Sequence, residues 1–196
     1  MSEFDCDVAI LGGGSAGYAA ARIAAGAGLK TVVIEGGSEV GGLCILRGCM
    51  PSKALLYAAE VLHLVRQAGA WGICVKNITL DFPAVMARKA RLINSFADYR
   101  RQQLEHGKFE FLRAHARFVD PHTLKLKTLP ASAAQPDRQR RPSATARRSD
   151  SEHILTARRF VIATGSVVAP PPLPSLAATG YITSDHALTL KRLPKS

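Results

Sequence analysis

Apolar residues fall in short runs along the chain, and glycine or proline closes most of them. Phe4 to Leu11 is an apolar run ending in glycine, the pattern of a strand covered on both faces in a parallel sheet. Gly12-Gly13-Gly14-Ser15-Ala16-Gly17 follows without a break, and Tyr18 to Ala27 is alanine-rich and favours helix. Thr31-Val32-Val33-Ile34 forms a second strand, closed by Glu35. In Met50 to Gln67, Leu55, Leu56, Ala59, Leu62 and Val65 recur at helical spacing, which predicts a helix with that face in the core and Gly69 at its C-cap. Asp81 to His106 predicts a longer helix, N-capped by Asp81 and stopped by Gly107. Its apolar stripe is Phe82, Val85, Met86, Leu92, Ile93, Phe96, Tyr99 and Leu104. Phe109 to Leu112 reads as a third strand. His115 to Asp120 and Leu124 to Leu126 read as short meander strands split by Asp120-Pro121-His122. Arg158 to Ser166 is a further buried strand ending in a small-residue turn, and Pro170, Pro171, Pro172 and Pro174 make an extended linker.

Leu129 to Ser151 departs from this rhythm. It is rich in Pro, Ala, Ser and Arg and poor in large apolar residues, which predicts a flexible loop. Together with the long helix, it supplies much of the net charge of +11. Basic tracts bind nucleic acid, but no aromatic residue is interleaved here to stack on bases, and a solvated loop accounts for the composition. A basic amphipathic helix over Asp81 to His106 also suits a membrane surface. A core stripe with a solvated opposite face is the commoner use of that pattern. At 196 residues the chain is long enough for one domain with its own core. No apolar run approaches bilayer-spanning length. Met1 to Asp5 has neither the basic nor the apolar region of a secretory signal, which points to a cytoplasmic protein.

The first glycine cluster carries definite chemistry. Gly12 permits a tight turn, Gly14 lets backbone approach a pyrophosphate, and Gly17 lets helix and strand pack closely. The N–H groups at the helix start, at Ser15 and Ala16, bind phosphate. Glu35 stands 18 residues after Gly17, where a carboxylate accepts both ribose hydroxyls of a dinucleotide. Strand, glycines, helix, second strand and terminal acid occur in that order.

Cys44 and Cys49 form the second chemical centre, within Gly41-Gly42-Leu43-Cys44-Ile45-Leu46-Arg47-Gly48-Cys49-Met50-Pro51-Ser52-Lys53. Gly41, Gly42 and Gly48 let the backbone approach something flat and large. Pro51 sits just inside a helix start, which puts Cys49 at the positive end of a helix dipole that favours thiolate. Lys53 adds a positive charge one turn further along. A metal site would bring four Cys or His ligands at short spacing, and a structural disulfide would need an oxidising compartment. Redox exchange fits the segment better than either, and no metal site is expected. Cys6, on the first strand, reads as a small buried apolar residue.

This segment resembles the active-site segment of the pyridine nucleotide–disulfide oxidoreductases, Gly-Gly-x-Cys-aliphatic-x-x-Gly-Cys-aliphatic-Pro, and matches each of its fixed positions. Pro51-Ser52-Lys53 is more similar to the dihydrolipoamide dehydrogenase and mercuric reductase branches than to glutathione reductase. The resemblance implies an α/β, Rossmann-like FAD/NAD(P)-binding fold in three layers, with a parallel sheet, helices and a β-meander. It also implies FAD on the first glycine cluster and a disulfide stacked near the isoalloxazine. In those enzymes NAD(P)H reduces FAD, and the flavin passes electrons to the disulfide. Cys49 then matches the charge-transfer thiolate, and Cys44 the interchange thiol that meets a disulfide or metal-ion acceptor. The segment matching His115 and Ala116 lies against adenine through its backbone, and the His115 side chain reads as a surface polar group. Ala163-Thr164-Gly165 resembles the segment that closes over FAD, and Tyr181 to Asp185 the stretch leading to the NAD(P) domain.

On this footing residues 1–128 form an FAD-binding domain with the redox disulfide and 129–151 a basic flexible insertion. Residues 152–169 return a strand to that domain, and 170–196 lead toward an NAD(P) domain absent from the sequence. Complete members are homodimers whose interface domain supplies a His–Glu pair, and nothing around His186 matches that motif. The expected chain is therefore truncated, with NAD(P)H a co-substrate only when the missing domain is supplied. A non-catalytic FAD-binding module and a basic nucleic-acid-binding protein are the alternatives.

Overall fold

The computed structural model describes residues 3–129 and 152–194. Most of the arginine-rich insertion lies outside the described residues. The elements are β1 (Cys6–Leu11), α1 (Ser15–Gly26), β2 (Thr31–Glu35), α2 (Gly42–Leu46) and α3 (Cys49–Gln67), then a 3-10 turn (Ala68–Trp71) and α4 (Phe82–Glu105). After these come β3 (Glu110–Asp120), β4 (Thr123–Thr128), β5 (Glu152–Ile162), a second 3-10 turn (Pro174–Thr179) and α5 (Ser184–Ala187). They form two compact units, one from Met1–Gly42 with Arg100–Gly165 and one from Leu43–Tyr99 with Ser166–Ser196.

In the first unit, β1 lies parallel between β2 and β5, and β2 pairs parallel with Glu110–Arg113 of β3. β4 pairs antiparallel with the outer halves of β3 and β5. Two long strands thus serve both layers, and the five strands close into a ring. The third strand and the first meander strand expected from the sequence are one strand, β3. Its alternation runs through Leu112, Ala114 and Ala116, which all face the same core, so the charged Arg113 between them is no break.

Alternation also builds the two apolar layers. Ala9, Leu11, Val32 and Ile34 point into the ring, against Ala114, Leu124, Leu126 and Ala157. Ile10 and Val33 point the other way, against Ala21 of α1, Val40 and Leu104. β5 corrects the expected Arg158–Ser166 strand at both ends. It begins at Glu152 and stops at Ile162, which is 69% exposed. Among the described residues, its stretch beyond Ala157 pairs with β1 alone, which leaves its other side a sheet edge.

In the second unit the helix boundaries follow the capping chemistry. Asp81 Oδ1 accepts the Ala84 N–H at 3.0 Å, as an N-cap does. α3 runs on into the 3-10 turn, and the residue in the left-handed region is Gly72 (φ 75°), where Gly69 was expected to cap. The predicted apolar face of α3 is only half realised. Leu55, Leu62 and Val65 are half-buried, while Leu56 is 67% exposed and Ala59 is exposed. On the part of α4 in this unit, Ile93 is buried but Phe96 and Tyr99 are exposed. Pro174 opens a 3-10 turn, so the proline-rich stretch is not extended throughout. Thr183 and His186 form a capping box at α5, and Lys89 Nζ donates to the Leu188 carbonyl.

The amino terminus is tied to β5 by Asp5. Its Oδ2 accepts the Thr156 N–H and the Thr156 hydroxyl, each at 2.8 Å, and Thr156 Oγ1 accepts the Asp5 N–H at 3.0 Å. The Thr156 N–H, and then its hydroxyl, hold the Asp5 carboxyl below the usual carboxylate range. A depressed pKa contributes stability that is complete above about pH 4, the unfolded value, and is lost as pH falls through the folded one. Asp5→Asn is expected to cost about 1 kcal/mol near neutral pH, discounted for exposure. The gap from the parent should shrink below about pH 4 in urea unfolding curves.

Candidate functional site

The glycine cluster follows β1 and opens α1. Gly12 has φ 106°, and a Cβ there would lie 2.3 Å from the Ala163 carbonyl oxygen. A Cβ on Gly17 would lie 1.8 Å from the Gly12 carbonyl oxygen, so only glycine lets α1 start this close to β1. The Gly12 N–H donates to Ile34 O at 2.7 Å and the Ala163 N–H to Leu11 O at 2.8 Å, which fixes the ends of β1, β2 and β5 together. On the other side, a Cβ on Gly42 would lie 2.6 Å from Gly14 Cα. Gly41 and Gly42 both have positive φ. Gly14 caps α1 without any side-chain hydrogen bond, and the first turn carries no acid. Ser15 and Ala16 are exposed there. The result is a backbone-lined crevice at the carboxyl ends of parallel strands, with helix N–H donors unsatisfied by side chains. A pyrophosphate fits that donor set, and side chains added at Gly12, Gly17 or Gly42 would collide with neighbouring backbone.

Glu35 is half-buried at the end of β2, and both of its carboxylate oxygens are engaged. Oε2 accepts the Gly13 N–H at 2.8 Å, and Oε1 accepts the Gly37 N–H at 2.6 Å. Thr164 and Gly165 follow Ala163, and Gly165 has φ 75° with open space at its Cβ position, so conformation and not room calls for glycine. Ala116 is half-buried against the ring core, and His115 is exposed with its ring against Gly36. The structure adds a residue missed in the sequence. Arg113 stands opposite Glu35 in the β2–β3 register and donates from Nη2 to the Gly37 carbonyl. The signal for it was the continuous alternation of β3, which places Arg113 beside the strand end that bears Glu35.

In the second unit, Cys44 is half-buried on α2 and Cys49 is the exposed first residue of α3. Between them, Gly48 makes the close contact. A Cβ on it would lie 3.0 Å from the Leu43 carbonyl oxygen and 3.3 Å from Cys44 Cα. The residue next to Cys49 therefore packs against the backbone of Cys44. Ser52 N–H donates to Gly48 O at 3.2 Å to begin α3, whose third residue, Pro51, is buried. Lys53 is exposed one turn beyond Cys49.

A glycine crevice at the ends of parallel strands, an acid closing the second strand and a helix amino terminus between them define a Rossmann-like dinucleotide-binding fold. Residues 6–196 match the model of the family described as pyridine nucleotide-disulphide oxidoreductase, and the chain belongs to that family. Members of the family bind FAD and take NAD(P)H as co-substrate. Dihydrolipoyl dehydrogenase of Bacillus subtilis (strain 168) is 35% identical over 192 residues, which are 97% of this chain and 38% of that protein. Mercuric reductase of Lysinibacillus sphaericus is 30% identical over 196 residues, 100% of this chain and 31% of its own length. Among solved structures, the Cu(II) complex of the HOCl-induced flavoprotein disulfide reductase RclA from Escherichia coli shares the fold. Its TM-score is 0.66 at 24% identity, covering 99% of this chain and 36% of that one. The chain thus spans about a third of the length of the relatives it matches.

The cysteines differ sharply in setting. Cys6 is buried in the ring core, and burial, with the Asp5 charge second, pushes its thiol up to about 11. Cys49 and Cys74 are exposed. Alkylation at pH 8 followed by peptide mapping is expected to label Cys49 and Cys74 first. Cys6 should trail by roughly a hundredfold, because its thiolate fraction is that much smaller than an ordinary thiol's.

Proposed function

We propose that this chain is the FAD-binding, dithiol-bearing portion of a flavoprotein disulfide reductase of the dihydrolipoyl dehydrogenase type. The observation that carries the reading is the packing of Gly48 against Cys44, which brings the chain beside Cys49 onto the backbone of Cys44 at the start of a 19-residue helix. Family membership and the glycine crevice support it. In this reading Gly12, Gly14, Ser15, Ala16 and Gly17 hold the pyrophosphate through backbone N–H groups, and Glu35 accepts ribose hydroxyls on its remaining lone pairs. Gly41, Gly42 and Gly48 keep side chains away from the flavin ring. Ala116, Ala163, Thr164 and Gly165 line the rest of the cofactor site.

Bound FAD supplies two-electron exchange between a nicotinamide and a disulfide. The chain's own residues handle the sulfur chemistry. Cys44 thiolate attacks one sulfur of the acceptor disulfide and expels the other as a thiolate. Cys49 thiolate then attacks Cys44 Sγ, forming the Cys44–Cys49 disulfide and releasing the second acceptor thiolate. The protons of the Cys44 and Cys49 thiols go to the two thiolates released. The acceptor is a small disulfide, or a metal ion that the paired thiolates bind. NAD(P)H acts as co-substrate where an NAD(P) domain is supplied, as in complete members of the family, which are homodimers, and the setting is cytoplasmic. No helix among the described residues is long and apolar enough to cross a membrane.

Reductive titration of the FAD-loaded chain tests this. The parent is expected to take up one more electron pair per flavin than Cys44→Ser or Cys49→Ser, with all three retaining FAD. Equal uptake by all three chains would rule out a redox role for the pair.

A further inference from the structure

The Gly36–Gly37 turn is held from two sides by residues of opposite charge. Glu35 Oε1 accepts the Gly37 N–H at 2.6 Å, and Arg113 Nη2 donates to the Gly37 carbonyl. Both polar groups of one glycine are thereby occupied, and the same Glu35 carboxylate reaches across to the Gly13 N–H at 2.8 Å. Neighbouring contacts leave this turn little freedom. A Cβ on Gly37 would lie 3.0 Å from Glu35 Oε1, and one on Gly36 would lie 2.7 Å from His115 Nδ1. Arg113 is locked by register beside Glu35, and its Nε is buried without a hydrogen-bond partner among the described residues. Leaving that one nitrogen buried without a partner is costly unless the bond made by Nη2 matters to the surroundings. The continuous path runs Arg113, Gly37, Glu35, Gly13, and Gly13 belongs to the glycine cluster.

We propose that Arg113 is a positioning residue of the nucleotide site. By fixing the Gly37 carbonyl it sets the Glu35 carboxylate, and through Glu35 it sets the Gly12–Gly17 loop before a dinucleotide arrives. This rests on the reading that the loop and Glu35 hold the adenosine half of FAD. The preorganisation lowers the ordering cost of binding and shows in affinity, not in a contact of Arg113 with the reacting atoms.

The test uses the full chain and ADP as probe, with affinities from calorimetry. Arg113→Met keeps the side-chain stem and removes the donors; it is expected to weaken ADP about tenfold, the worth of one charge-assisted hydrogen bond. Arg113→Lys keeps charge and a donor and should recover part of that loss. In an Glu35→Ala background, Arg113→Met should add little, because the two act through one path. Exchange of the Gly37 amide, followed without ADP, should rise in Arg113→Met. Overturning results are Arg113→Met binding ADP like the parent, Arg113→Lys as weak as Arg113→Met, or losses at positions 35 and 113 that add in full. A parent chain that binds neither ADP nor FAD would overturn the nucleotide reading and this inference with it. A parent that binds ADP while Arg113→Met is unaffected overturns the inference alone.

Discussion

Where β1 ends, the backbones of Gly12, Gly17 and Ala163 come so close that a single added methyl group has nowhere to go. The first unit is organised around that approach. Hydrogen bonds from Gly12 to Ile34 and from Ala163 to Leu11 bind the three parallel strands at the same level. With the strand ends fixed, α1 starts directly over them, and its first N–H groups open onto the crevice without competing side chains. A bulkier residue at Gly17 would push α1 off the sheet, and one at Gly12 would push away the backbone of Ala163 and Thr164.

Glu35 converts this steric arrangement into a chemical one. A half-buried carboxylate needs donors, and here backbone N–H groups of two different loops supply them. The acid therefore joins the glycine cluster to the turn after β2 and presents its remaining lone pairs at the edge of the crevice. Arg113 completes the arrangement from the neighbouring strand, which is possible because β3 stays straight through the charged residue and carries it to the end of β2.

Thiol chemistry in the chain is sorted by place. Cys6 lies within the strand ring, donates weakly to the Thr156 carbonyl at 3.7 Å, and is made inert by loss of water around its charged form. Cys49 stands exposed at the first residue of α3. The two residues are chemically identical, and burial alone makes one inaccessible and leaves the other open to reagents.

Much of this was legible along the chain because it is local. The strand–glycine–helix–strand–acid order, the α4 cap at Asp81 and the Cys44–Gly48–Cys49 spacing depend on residues close in sequence, whose backbone geometry is limited by sterics and short-range hydrogen bonds. The β3 strand was legible in part: its alternation passes through Arg113, but a charged residue between two apolar runs reads as a boundary unless the next strand is known. Coverage was not legible. Helical spacing on α3 marks an apolar stripe without saying what packs on it, so Leu56 (67% exposed) stands in solvent while the expected pattern is intact. The same holds for Ile162, where β5 has become a sheet edge. Local sequence decides periodicity and turn chemistry, because these are properties of neighbouring dihedrals. Only the tertiary structure decides burial, and with it the partners of Glu35 and Arg113, because those depend on which distant strands come to lie side by side.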